Sequence, residues 1–209
     1  MKKILSTVLI IVLIATQLWA ENLGSGPQDS VQQLLGEIRQ IKPDPSAENQ
    51  KHSQSALSLL NVTEISKKAL GKHWSKHSDT EQEKFQTLLG ELFVHVAFPS
   101  SAKFFAELDL VYGKTKEKKN VVVVPLTVIH EKEGEVGIDF HLIQDGDKWQ
   151  VVDVILDGFS MRNNLRSQFY KVIKKKSFNE LIRKMDKKLI SEKANPLGVN
   201  PVGKSLLSQ

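Results

Sequence analysis

The side chains of this 209-residue chain best suited to acid–base or metal chemistry are six histidines: His52, His73, His77, His95, His130 and His141. Only His73 and His77 have the i, i+4 spacing that puts two ring nitrogens on one helical face. Trp74 and Ser75 stand where a zinc-hydrolase helix carries its glutamate, so the pair reads as surface histidines rather than a zinc site. Asp139, His141 and Asp153 would make a proton-transfer set if all three faced a cavity. Strand-edge and capping roles are the commoner fate of such residues. There is no glycine-rich phosphate loop, no nucleophile elbow and no carboxylate pair at fixed spacing. The chain has no cysteine, hence no disulfide, thiolate ligand or cysteine-borne lipid anchor. Asn61-Val62-Thr63 matches a glycosylation acceptor, a pattern common by chance. No catalytic residue, metal or cofactor is expected.

The elements that must carry these residues fall into two blocks. Val31, Leu34, Leu35, Ile38 and Ile41 recur at helical spacing, with Asp29 or Ser30 as N-cap. Lys42 to Ser55 holds two prolines and no apolar pattern and reads as a loop. Leu57 to Trp74 is helical again, with Thr63 capping a short helix through Ile65 and Ala69 that ends at Gly71. Ser78-Asp79-Thr80-Glu81 is a capping box. It opens a helix with an apolar stripe from Phe85 to Val96, which Pro99 should end. A short helix over 103–107 follows.

The period then changes from helical to alternating. Strands are expected over Leu108–Gly113, Asn120–His130, Glu135–Gln144 and Lys148–Leu156. The charged run Lys114–Lys119 and two glycine turns join them. The third strand buries Ile138, Phe140 and Leu142 and turns Asp139 and His141 outward. The fourth is apolar on both faces, Trp149, Val151 and Ile155 against Val152, Val154 and Leu156, so both faces should be covered. Ser160 and the box Ser177–Glu180 cap two C-terminal helices. The fold class expected is α+β: a curved antiparallel sheet of about four strands with helices packed around it, a helical N-terminal half and C-terminal helices.

The first 20 residues have the form of a secretory signal: Lys2 and Lys3, an apolar run from Ile4 to Leu18, then Leu18-Trp19-Ala20. A spanning helix needs about 20 apolar residues, and this run is shorter and interrupted. Cleavage after Ala20 would leave 27 basic against 24 acidic residues, a net +3 rather than the +5 of the whole chain. That charge is too small and dispersed to indicate nucleic acid. The expected organisation is a signal peptide over 1–20, one domain over 21–190 and a disordered tail over 191–209.

Two stretches resemble one known family. The first is Ala69-Leu70-Gly71-Lys72-His73-Trp74 with Phe85 and Leu92-Phe93. The second, the more specific, is Trp149-Gln150-Val151-Val152-Asp153-Val154, then Asp157-Gly158-Phe159-Ser160-Met161 and Arg166-Ser167-Gln168-Phe169. They resemble the MlaC family, the periplasmic phospholipid-binding component of the MCE-type ABC lipid transport system, also called toluene-tolerance proteins. The resemblance spans about Pro27 to Leu189. Asp157 and Phe159 stand where Glu and Val are usual, and Lys174–Lys176 where a neutral break is usual. The resemblance implies a soluble periplasmic carrier and an α+β fold closed around a lipid-tail cavity. Its implied partners are a phospholipid, the inner-membrane MCE transporter complex and an outer-membrane lipoprotein–porin complex. Its implied role is upkeep of outer-membrane lipid asymmetry.

The residues themselves bear on that implication. A diacyl lipid has on the order of 30 tail methylenes, and exposing them would cost roughly 20 kcal/mol or more at about 0.8 kcal/mol each. A carrier therefore needs an apolar cavity. The residues chosen to line it are Val124, Leu126, Val128, Ile138, Phe140 and Leu142 from the sheet, with Leu89, Phe93, Leu165 and Phe169 from the helices. The same ten residues would equally make a filled core. Arg166 suits a lipid phosphate, or would pair with Asp153 or Asp157. The alternative function is an enzyme on a similar cavity fold acting on an apolar small molecule.

Overall fold

The computed structural model describes residues 26–42, 44, 46–130 and 134–194. The signal segment 1–20, most of the tail and part of the turn at Lys132-Glu133-Gly134 lie outside the described residues. Helix α1 spans Pro27–Gln40. Its cap is Gly26, not Asp29 or Ser30; Pro27 sits at the first helical position and Asp29 accepts the Gly26 N–H at 2.8 Å. Helix α2, Ala47–Ser58, occupies much of the stretch read as loop. Ser46 caps it by accepting from Asn49. The helix is nearly all polar, and only Ser53 and Ala56 are buried. It therefore shows no apolar stripe, although it lies along α1. Helix α3, Val62–Leu70, is capped by Asn61 rather than Thr63.

Helix α4, Asp79–Leu92, opens on the capping box, with Ser78 and Glu81 reaching for each other's backbone. Pro99 does not end this helix. A five-residue π turn, Phe93–Ala97, carries the chain into α5, Phe98–Phe105. The wide turn moves the hydrogen-bond partner to i−5, with the Phe98 N–H meeting the Phe93 carbonyl. Proline, which lacks an N–H, is accommodated in the first turn beyond it.

The sheet runs in the order β1-β3-β4-β5-β6, with β2 also on β3, and every pairing between strands is antiparallel. The strands are β1 Asp109–Tyr112, β2 Lys116–Lys118, β3 Val121–His130, β4 Gly134–Asp145, β5 Lys148–Leu156 and β6 Phe159–Ser160. The charged run after Gly113 thus holds a strand, because β1 and β2 are successive halves of one line along β3. The break between them falls opposite Pro125, where the missing N–H would orphan a carbonyl. Gly113 donates to the Pro125 carbonyl at 2.9 Å.

The faces of β5 differ from simple alternation. His141 pairs with Asp153 and Leu142 with Val151, so Val152 is the extra residue of a β-bulge. The bulge flips the register. Trp149 and Val151 share the inner face with Val154 and Leu156, while Asp153 looks the other way, toward helix α6, Met161–Lys175. The last helix, α7, spans Phe178–Ala194, four residues past the expected domain edge at 190.

Candidate functional site

The apolar side chains segregate into two clusters. One lies on the inner face of the sheet, against α1, the π turn and α5. Cross-strand pairs build it: Val124 opposite Phe140, Leu126 opposite Ile138 and Val128 opposite Val136. The other lies among α3, α4, α6 and α7. There Phe169 meets Phe85 edge to face at 5.4 Å between centroids. The structure brings Val124, Leu126, Val128, Ile138, Phe140 and Leu142 together in the sheet-side cluster, each at most 3 % exposed. It places Leu89, Leu165 and Phe169 in the helical cluster instead. Phe93, in the π turn, is half-buried and packs against both. The turn has a geometric effect here: Val94 and Phe98 face the sheet, while Leu92 and Val96 face the helices.

The sheet-side cluster reaches the surface beside α1. A cleft of about 320 Å³ runs between α1 and the start of the sheet, lined by Gln32, Leu35, Gly36, Arg39, Leu108, Asp109, Leu110 and Tyr112. Leu35 belongs to the cluster, and Leu108, Leu110 and Tyr112 pack against it. None of the ten residues chosen from sequence lines this cleft. The available signal was the stripe Gln32, Leu35, Gly36, Arg39, spaced i, i+3, i+4, i+7 on one helical face. Arg39 donates through Nε to the Phe105 carbonyl at 3.0 Å and through Nη2 to the Leu108 carbonyl. Burial pushes the Tyr112 hydroxyl above its usual pKa, and the Arg39 charge works against that rise.

The acid–base set sits elsewhere. Asp153 is 4 % exposed, on the outer face beneath the start of α6. It accepts from the Ser160 hydroxyl at 2.6 Å, the Arg162 N–H at 3.0 Å and the Val154 N–H at 2.9 Å. Its ion pair with Arg162 is 3.4 Å long. Ser160 in turn caps α6 by accepting from Asn163 at 3.0 Å. His141 lies opposite Asp153 across the ladder. Burial lowers its pKa, and the Asp153 carboxylate opposes the fall. These groups tie the bulge, the turn at Gly158 and α6 into one corner. Among the described residues no cluster of His, Asp or Glu is placed to hold a metal ion. His77 stacks on Phe178 at 3.7 Å and His73 meets Tyr170 edge-on at 4.8 Å.

Arg166 contacts neither Asp153 nor Asp157. Its Nε and Nη2 both donate to the Lys68 carbonyl, capping the C-terminal end of α3. One turn on, the Tyr170 hydroxyl accepts the Lys72 N–H at 3.2 Å. Gly71 lies between, at φ +48°, and a β-carbon there would stand 2.6 Å from that hydroxyl. Gly71→Ala is expected to cost about 2 kcal/mol or more, combining backbone strain with the displaced tyrosine. Urea unfolding measures it, and a change under about 0.5 kcal/mol would contradict this account of the junction.

A family model described as MlaC protein matches residues 28–187. The fold is also similar to the solved structure of a phospholipid-binding protein from Ralstonia solanacearum in complex with a phospholipid. The TM-score is 0.64 at 19 % identity, covering 79 % of this chain and 96 % of that one. No curated protein matches the chain.

Proposed function

The chain belongs to the MlaC family, and from that premise we propose that it is a periplasmic phospholipid carrier. In this reading residues 1–20 are removed on export and residues 21–190 form the carrier, with a tail beyond. The carrier moves single lipids between the inner-membrane MCE transporter complex and an outer-membrane lipoprotein–porin complex, and so helps maintain lipid asymmetry. The observation that carries the reading is the apolar layer on the inner face of the sheet, which reaches the surface at the cleft beside α1. The fold it shares with the Ralstonia solanacearum phospholipid-binding protein supports it. Among the described residues no helix is long and apolar enough to cross a membrane.

The cleft of about 320 Å³ is near the lower end for a ligand pocket. A permanent void of about 1,000 Å³ would cost on the order of 20 kcal/mol, more than a domain's stability. The proposed mechanism is therefore parting and closing. The tails enter beside Leu35, separate α1 and α5 from the sheet, and replace the contacts those side chains make with one another. Val124, Leu126, Val128, Ile138, Phe140, Leu142 and Phe93 then line the tails. Leu89, Leu165 and Phe169 back them as a fixed helical layer. The enzyme alternative needs Asp139, His141 and Asp153 at the cavity, and Asp153 is instead committed to the corner with α6. Protein purified without detergent, extracted into organic solvent and analysed by mass spectrometry is expected to yield about one phospholipid per chain. Extracts no richer in lipid than those of an unrelated exported protein would overturn the proposal.

A further inference from the structure

Resting on the phospholipid reading, we propose that the mouth of the cleft is a phosphate seat. Arg39, Tyr112 and Gln32 would hold the phosphodiester of the lipid head group, while the tails pass inward over Leu35 and Leu110. Four polar residues, Gln32, Arg39, Asp109 and Tyr112, line a cleft whose other walls are leucine and glycine. Two bonds to backbone carbonyls fix the Arg39 guanidinium in place. A guanidinium has five N–H groups, so Nη1 and part of Nη2 remain for a ligand. Arg39 makes no ion pair among the described residues.

Two carboxylate residues lie near this mouth. Glu37 pairs with His52 at 2.7 Å. Asp109 shares the exposed face of β1 with Val111, while Leu110 and Tyr112 alternate inward. Asp109 is the carboxylate residue that lines the cleft; it lies on the exposed face of β1 and makes no ion pair with Arg39, so the guanidinium remains the cation available to the single negative charge of a phosphodiester. Arginine's planar fork suits phosphate oxygens. Tyr112, a phenol protonated at neutral pH, offers a neutral donor in the same cleft. Gly36 leaves the approach open, since a β-carbon there would meet nothing within 4 Å.

The test titrates delipidated full-chain protein with phosphatidylethanolamine and with diacylglycerol of the same acyl chains, using glycerophosphoethanolamine as a tail-free competitor. Wild type is expected to hold the phospholipid about tenfold or more tighter than the diacylglycerol. Arg39→Gln should shrink that ratio to about threefold or less, and Tyr112→Phe should lower it several-fold with an unchanged melt. Tyr112→Phe decides the matter where Arg39→Gln loosens α1. Equal affinity of wild type for the two lipids would overturn the phosphate seat and leave the carrier standing. So would a ratio unmoved in either folded variant. Competition by glycerophosphoethanolamine as strong as by whole phospholipid would also overturn it, marking a phosphate-ester site independent of the tails. Binding of neither lipid by wild type would overturn the carrier reading itself.

Discussion

Protein stripped of its lipid is expected to melt about 8–16 °C below the same protein refilled with phospholipid. A ligand present at about 1,000 times its dissociation constant stabilises the state it binds by about 4 kcal/mol. For a chain of this size each kcal/mol shifts the midpoint by about 2–4 °C. The difference is bounded from above because the sheet-side layer closes on itself. Val124, Val128 and Leu142 are each 0 % exposed through contacts with protein side chains alone, so most apolar burial does not depend on the tails. A difference of tens of kcal/mol belongs to a rigid empty shell, which would not stay folded. Differential scanning calorimetry of paired samples measures the shift. Coincident melts, with lipid content verified in both, would mean that the lipid is not bound within the fold.

Asp153→Ala is expected to destabilise the protein by about 3–5 kcal/mol, the range seen when one partner of a buried ion pair is removed. The carboxylate accepts from the Ser160 hydroxyl and the Arg162 N–H and pairs with the Arg162 guanidinium. The Arg162 Nε is already buried without a partner, and in the variant the guanidinium, 22 % exposed, would keep only the Val152 carbonyl at 3.4 Å. Asp153→Asn keeps one acceptor oxygen and should lose less. Because the corner lies on the outer face, folded Asp153→Asn protein should retain wild-type lipid content. Guanidinium titration measures the stability and phosphorus assay the lipid. A loss of lipid at full stability would place Asp153 in the ligand site and contradict this division of the molecule.

That division explains what was readable in the sequence. The residues that most resemble the family, Trp149 to Phe169, largely build a joint. Asp153 and Ser160 fix the strand-to-helix corner, Asp157 and Gly158 make its turn at positive φ, and Arg166 caps α3. Such roles demand particular side chains at particular spacings, and so they are legible. The capping box at Ser78 and the alternation of Ile138, Phe140 and Leu142 are legible for the same reason. A lipid-tail layer demands only apolar bulk. Leu126 in the sheet-side cluster and Leu89 in the helical cluster look alike in sequence, and only the packing separates them.

The misreadings have equally local causes. Helix α2 has no apolar stripe because it lies on the surface with one buried methyl at Ala56. Pro99 is compatible with a continuing helix only because a π turn shifts the bonding register ahead of it, and nothing in Phe93–Ala97 announces that turn. The single extra residue at Val152 reverses the facing of half a strand. The cleft was missed because its wall pairs α1 with β1, about 70 residues apart in the chain, a contact that no periodicity encodes.

The most direct test of the central claim is where the tails go. A phospholipid carrying a diazirine in one acyl chain would be loaded, photolysed and mapped by peptide mass spectrometry. The account predicts labels on β3 and β4, over Val121–His130 and Gly134–Asp145, and on α1 near Leu35. Labels concentrated on α6 and α7, around Phe169 and Leu181, would contradict it, and so would labels confined to the exposed outer face of the sheet.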